Sequence, residues 1–259
     1  MRNDDSRAAV LLALKLVLVP TFLLLVSLAG RRWGASVAGW LAGLPVVAGP
    51  IVLLVALEQG TAFASAASSA SLAAVFAAVT FGASYSHAAM RMSWPGALAV
   101  GISGWSIAAA LLAWLPNGPF VSAAVAAIAL VGARWVFPAV APPAASRAFV
   151  KGELALRMAA GAALTLIVTA LANTVGSRWS GLLAVFPVLG SVLAVFSHRG
   201  QGAAFAATLL RALANGLSSL AAFFLVTSLA LPTLGIANAF ALAVAAAIAV
   251  QVMSRWLRV

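Results

Sequence analysis

The chain contains no cysteine, four acidic residues and two histidines among its 259 residues. Without cysteine there is no disulfide, thiol nucleophile or haem-attachment motif, and so few acids and histidines cannot easily build a metal site. The same scarcity leaves few candidate general acids and bases, which counts against an enzyme. The sequence therefore predicts neither a catalytic residue nor a bound cofactor or metal.

Apolar residues are what the chain has in excess. Hydrophobic residues make up 64% of it and charged residues 7%, with a mean hydropathy of +1.13, which indicates an all-α integral membrane protein. The apolar runs have the length of helices that cross a bilayer, and they lack the alternation typical of a β-barrel. The net charge of +11 comes from single cations between these runs, so it predicts loop charge and no nucleic-acid partner.

Nine apolar segments are candidates for transmembrane helices. The positive-inside tendency favours an external N-terminus and an internal C-terminus, because the internal loops then collect most of the arginines. The fifth segment is interrupted by Arg134 and followed by prolines, but removing it would move Arg147, Lys151 and Arg199 outside. The nine segments are residues 8–29, 34–57, 61–84, 94–115, 120–140, 152–173, 180–197, 203–230 and 236–254.

The first half of the chain recurs in the second half. Residues 39–64 align without a gap to residues 181–206, and ten of the 26 positions are identical, including Pro45/Pro187 and Gln59/Gln201. The sequence thus predicts a four-helix repeat in residues 1–116, a linker with one helix in 117–150 and a second four-helix repeat in 151–259. Because a single helix connects them, the second repeat is expected to be inverted, an arrangement that recurs in secondary transporters.

The repeated positions resemble the GlpM family of small bacterial inner-membrane proteins. The resemblance is carried by a cation in the first helix, then a Gly-Leu-x-x-x-[Phe/Leu]-Pro pattern, then a turn that contains glycine. It implies a fused, inverted pair of GlpM-type units in the bacterial inner membrane, and it implies no settled activity. The matching residues are Lys15, Gly39, Leu44, Pro45, Glu58 and Gly60 in the first unit and Arg157, Gly181, Phe186, Pro187 and Gly202 in the second.

Pro45 and Pro187 interrupt the second helix of each unit, and they allow two interpretations. In one, the prolines only kink packed helices, and the nearby Gly39, Gly43 and Gly49 form a close-packing face. In the other, both helices break at matching depth and direct backbone polar groups into a cavity between the units.

Cations inside the predicted helices supply the other candidate site residues. Lys15 and Arg157 occupy the same register in the two units, so they are either snorkelling side chains or a pair of gates. Arg211 lies deeper in the apolar sequence, with Asn215 one turn further along the same helix. Arg134 also lies deep in an apolar segment. Because Glu58 and Glu153 are at predicted helix ends, we expect no carboxylate to pair with Arg134 or Arg211 inside the membrane. The substrate-binding residues predicted from the sequence are Lys15, Pro45, Arg157, Pro187, Arg211 and Asn215.

Three classes of function fit this pattern. A secondary transporter for a small anionic or polar metabolite, phosphate-bearing ones included, follows from the repeat and the cations, and a lipid-phosphate flippase is a variant of it. A non-transporting accessory or assembly subunit is the main alternative, and a lipid-modifying enzyme is the third. The expected partners are the lipid bilayer and the solute, and the sequence leaves the oligomeric state open.

Overall fold

The computed structural model describes residues 2–140, 152–172 and 177–256, with most side chains described from residue 17 onward. In these ranges every regular element is an α-helix, which confirms the all-α prediction for the described part of the chain. The helices are α1 (Arg2–Trp33), α2 (Ala35–Ala42), α3 (Ala48–Ala89), α4 (Trp94–Leu112), α5 (Pro119–Val136), α6 (Glu153–Ala172), α7 (Ser177–Ala184), α8 (Val188–Gln201) and α9 (Ala203–Trp256).

Five helical segments of the described chain are long and apolar enough to cross a membrane. Two of them are bent, because Gly60 inside α3 and Gly235 inside α9 have non-helical backbone angles. We call the resulting segments α3a (48–59), α3b (61–89), α9a (203–234) and α9b (236–256). A straight helix of 42 residues, the length of α3, would reach roughly 60 Å, about twice the thickness of a bilayer core. Because of the bend, α3 instead forms two shorter segments.

The second predicted helix of each half is broken. The segment expected at 34–57 ends as α2 at Ala42 and resumes as α3 at Ala48, and the segment expected at 180–197 ends as α7 at Ala184 and resumes as α8 at Val188. Pro45 and Pro187 lie in the two gaps. Proline cannot donate the backbone hydrogen bond that a continuous helix needs there, which accounts for both interruptions.

The turns collect at two opposite ends of the bundle. At one end, Ala56 and Ala64 pack with Ala230 and Ala239, which places the bends at Gly60 and Gly235 side by side. At the other end, Arg199 lies over the Trp94 ring, with its Cζ 5.5 Å from the ring centroid, so the turn at Gly202 is next to the loop of residues 90–93. We call these the Gly60 end and the Gly202 end.

The centre of the bundle is the antiparallel pair α3b and α9a. Ala64 near the start of α3b clusters with Leu231 near the end of α9a, and further along α3b a Cβ added at Gly82 would lie 3.8 Å from Leu210 Cβ. Buried aromatic side chains such as Phe81 and Phe223 fill this core. The linker helix α5 packs against both members of the pair, with Phe137 just beyond it against Gly82.

The two halves repeat these features 142 residues apart. The breaks fall at equivalent positions, and Gly60 (φ 85°, ψ 167°) and Gly202 (φ 94°, ψ 170°) adopt nearly the same conformation. A positive φ of this size is costly for any residue with a Cβ, so both turns depend on glycine. The first half therefore matches the second element by element, from its broken helix to its fourth helix.

Candidate functional site

A cavity of about 440 Å³ lies between the two broken helices. One wall consists of the first break and α3a, and the facing wall consists of residues 181–190 around the second break. Side chains of α1, α3b, α6 and α9a complete it, and the exposed Gln59 shows where it reaches the surface near the Gly60 end. Among the described lining residues the only polar side chains are Gln59, Ser71 and Thr165, and the others are apolar or small.

Two helix N-termini begin at the cavity wall. Val47 and Pro187 precede the first residues of α3 and α8, both line the cavity, and neither helix start has a side-chain cap. The first turn of a helix carries a partial positive charge. At these two starts Gly49 N donates to the Pro45 carbonyl over 2.8 Å, Val188 N donates to the Phe186 carbonyl over 2.7 Å, and Pro50 has no N–H. The positive character of each start therefore comes from the helix dipole and not from a row of free N–H groups. The apolar cavity thus has two small electropositive spots that a negatively charged group can approach.

The opposite ends of the breaks, where α2 and α7 stop, have their carbonyl groups partly satisfied by side chains. Gln251 Nε2 donates to the Trp40 carbonyl over 2.9 Å, and Ser71 Oγ donates to the Gly181 carbonyl over 2.9 Å. Trp40 Nε1 also donates to Ser254 Oγ over 3.0 Å. These bonds hold both half-helices in place, so the breaks are built features of the fold.

Glycine allows the half-helices to pack closely on the central pair. A Cβ at Gly39 would contact the Leu209 carbonyl and lie 2.8 Å from Ala212 Cβ, whereas a Cβ at Gly181 would lie 2.5 Å from the Ala67 oxygen and 2.7 Å from Ala70 Cβ. Residues 67 and 209 are equivalent in the two halves, as are 70 and 212. Each half-helix therefore contacts the other half at equivalent positions. Close packing and helix interruption are both present, and they do not exclude each other.

One tryptophan lies directly behind the cavity wall. Phe186 lines the cavity, and its ring meets the Trp105 ring edge to face with centroids 4.8 Å apart. Trp105 is 5% exposed, so its ring packs against protein, whereas tryptophans near helix ends often serve as anchors at the membrane interface. The exposed Trp33 and Trp114 fit that position better.

The structure separates the predicted site residues. Pro187 lines the cavity, and Pro45 lies in the first break between the lining residues Leu44 and Val47. Arg211 is directed toward the linker helix, where its Nη2 donates to the Arg134 carbonyl over 3.3 Å. Asn215 is half-buried one turn along α9 on the same side as Arg211. The backbone of Lys15 lies in α1, and its side chain lies outside the described residues.

Arg157 is buried away from the cavity and is paired with a carboxylate. Its Nη2 lies 2.6 Å from Glu153 Oε1, its Nη1 donates to Ser27 Oγ over 3.3 Å, and only 3% of it is exposed. The sequence predicts Arg157 as a substrate-binding residue and singles out no partner for it, but the structure pairs it with Glu153. Glu153 is at a helix end, as predicted, but one helical turn separates it from Arg157, so both side chains meet on the same face.

Several residues of the site were not singled out from the sequence. Val47, Ser71 and Thr165 are ordinary residues for a membrane helix, and only the fold brings them to one cavity. Gln59 could have been found, because the repeat pairs it with Gln201 and because it is a polar side chain at the end of an apolar helix. Among the described residues, no group of three acidic or histidine side chains could hold a metal ion.

Comparison with known proteins gives no further assignment. No protein-family model, curated protein or solved structure matches the chain.

Proposed function

We propose that the chain is a secondary membrane transporter with its solute site in the cavity between the two broken helices. The observation that carries this proposal is that the helix breaks of both halves meet at one cavity of about 440 Å³. Cavities of a few hundred Å³ suit small ligands. Interrupted helices at a repeat interface are a known plan for solute binding in transporters.

The antiparallel central pair supports an inverted relation between the halves. Helix α3b begins at the Gly60 end, and its equivalent α9a begins at the Gly202 end. If both cross the membrane, the two-fold axis that relates them lies in the membrane plane. If α2 with α3a and α7 with α8 each count as one span, and α3b, α9a and α9b count separately, the described helices give nine spans. Helix α5 then connects the two halves.

The solute that best fits the cavity is a small organic anion with an apolar body. The walls are largely aliphatic and aromatic, so they bind an apolar body, while the uncapped starts of α3 and α8 attract an anionic head group. A carboxylate satisfies both features with one charge. An inorganic anion such as phosphate has no apolar part, so its binding would leave most of the wall unused.

The resemblance to GlpM-type units agrees with this architecture. We therefore place the protein in the bacterial inner membrane as a fused pair of such units. The repeat, the bends and the cavity support the transporter proposal, and the placement in the bacterial inner membrane rests on the resemblance.

Binding of hexanoate to detergent-solubilised protein tests the proposed solute class. We expect hexanoate to raise Tm in a concentration-dependent manner, because a ligand that binds only the native state stabilises it. Hexanamide has the same chain without the charge and inorganic phosphate has charge without the chain, so both should raise Tm less. Uptake of labelled hexanoate into proteoliposomes then shows whether binding leads to transport.

A matched pair of substitutions locates the site. Ala184 is exposed and lines the cavity, whereas Ala110 is exposed on α4. Ala184→Leu should reduce hexanoate stabilisation and uptake by filling the cavity, and Ala110→Leu should change neither. Equal behaviour of the two variants would contradict the location of the site. Wild-type protein that neither binds nor moves any of the three probes would favour the accessory-subunit hypothesis.

A further inference from the structure

The part of the cavity toward the Gly60 end has a closed equivalent at the Gly202 end. A second, much smaller crevice of about 10 Å³ lies between α1, α2, α6, α8 and α9. Five of its lining residues are 142 positions beyond five cavity-lining residues, so the same part of the repeat forms both spaces. The pairs are Ile51/Leu193, Val55/Ser197, Gln59/Gln201, Phe63/Phe205 and Ala67/Leu209.

At equivalent positions, the residues that line the crevice are less exposed than those that line the cavity. Leu193, Ser197 and Phe205 are buried, whereas Ile51, Val55 and Phe63 are half-buried. The two glutamines follow the same rule, with Gln59 exposed and Gln201 half-buried. The halves share a fold, but one half is open where the other is closed.

A polar cluster joins the helices around the closed crevice. Arg157 on α6 bonds to Glu153 on the same helix and to Ser27 on α1, and its Cζ lies 5.4 Å from the Phe196 ring centroid on α8. Arg157 and Ser27 both line the crevice. These contacts connect three of the five helices that line the crevice.

The sequence does not repeat the whole of this cluster at the Gly60 end. The residues equivalent to Glu153, Arg157 and Ser27 are Leu11, Lys15 and Thr169. The repeat thus keeps a cation and a hydroxyl group, but a leucine replaces the glutamate and cannot form the ion pair. The polar cluster at the Gly202 end therefore contains a carboxylate, and the equivalent positions at the Gly60 end contain none.

We propose that the crevice and the open cavity are the two gates of one alternating-access cycle, with Arg157, Glu153 and Ser27 as the latch of the gate at the Gly202 end. This inference rests on the proposed transport function. When the latch opens, the Gly60 end closes, and the two halves exchange their conformations. Arg157 then lines the opened passage, where its guanidinium can meet the anionic head of the solute.

Single cysteines test the exchange, because the natural chain has none. Ser197→Cys in the closed crevice should react slowly with a hydrophilic maleimide in detergent, and Val55→Cys in the cavity should react faster. Adding Glu153→Gln to Ser197→Cys should raise its labelling rate about tenfold or more, since a charge-assisted hydrogen bond can shift an equilibrium by that factor. Ser27→Ala is a milder way to weaken the latch and should raise the rate less.

A third substitution distinguishes a coupled movement of both gates from an opening of the crevice alone. Val55→Trp obstructs closure at the Gly60 end, so adding it to the Ser197→Cys, Glu153→Gln chain should return labelling to the slow rate. Labelling that stays fast would show that the crevice opens by itself, and labelling unaffected by Glu153→Gln and Ser27→Ala would show that there is no latch. Either result overturns the inference. Because no solute is present, hexanoate binding tests the proposed function independently.

Discussion

At the scale of single residues, the fold gives two arginines of similar sequence context different environments. Arg157 is buried and paired with Glu153, whereas Arg211 is half-buried and donates to a carbonyl of the linker helix. A buried ion pair does not guarantee stability, because desolvation opposes the attraction between the charges. Removing one member is nevertheless costly, because the other charge remains buried without its partner.

Arg157→Met should therefore lower the stability of the protein. We expect a loss on the order of 3 kcal/mol, or a fall in Tm of roughly 6–12 °C in detergent. Arg134→Met is the matched control, since Arg134 is exposed and stacks over Trp135 on α5. Combining Arg157→Met with Glu153→Leu should recover most of the loss. A single Arg157→Met variant as stable as Arg134→Met would show that the pair contributes nothing.

Part of this residue-level arrangement could be predicted from the sequence. The spacing of Glu153 and Arg157 by one helical turn is a sufficient signal for an ion pair, although a carboxylate at a helix end was not expected to be available. The direction of Arg211 could not be predicted. An error of one residue in the assumed helix rotation turns a side chain by about 100°, and packing against α5 sets that rotation.

At the scale of helices and turns, the sequence identifies where the chain bends. The matched prolines predict both breaks, and the observed helix at Pro119–Val136 supports the linker that the charge distribution required. The separation between the broken helices could not be predicted, because it depends on how closely each half-helix packs on the central pair. Gly39 and Gly181 determine that distance by allowing direct contact with backbone atoms.

Gly39→Ala and Gly181→Ala should each destabilise the protein, by amounts similar to one another. The added methyl group would press on the backbone of α9 in one case and on that of α3 in the other, and such overpacking costs about 1–3 kcal/mol. Gly49→Ala is the control, since its methyl group would lie 3.6 Å from the Phe223 ring at ordinary contact distance. It should leave Tm unchanged or raise it slightly, because alanine favours a helix.

Melting curves of the three variants measure these differences. If Gly49→Ala were as destabilising as the other two, close packing of the half-helices would not be the cause. If only one of Gly39→Ala and Gly181→Ala were destabilising, the reciprocal contacts of the two halves would differ in energy despite their similar geometry.

At the scale of the whole molecule, positive charge is concentrated at one end. Arg31 and Arg32 end α1, and Ser27 one turn earlier contacts Arg157 at the start of α6, which lies over Phe196 of α8. Arg199 at the end of α8 contacts Trp94, next to the loop that contains Arg91. Among the charged side chains that the structure describes, the Gly202 end therefore carries Arg31, Arg32, Arg91 and Arg199, and the Gly60 end carries Glu58.

This distribution predicts that the Gly202 end faces the cytoplasm, because loops rich in arginine are retained on that side. The open cavity would then face outward, and the latched crevice would face inward. In intact cells, Asn117→Cys should react with a membrane-impermeant maleimide, since Asn117 contacts the Ala66 carbonyl near the Gly60 end. Ser93→Cys, in the loop at the Gly202 end, should react only after the cells are permeabilised.

The same pair of cysteines distinguishes the alternative topologies. Labelling of Ser93→Cys in intact cells, with Asn117→Cys protected, would reverse the orientation while keeping α4 as a membrane span. Labelling of both would show that α4 does not cross, and the nine-span arrangement would fail with it. An added control replaces Arg91 by Glu in the Ser93→Cys chain. If loop charge sets the orientation, this variant should place a larger fraction of the chains with residue 93 outside, because one retained cation is lost from that loop.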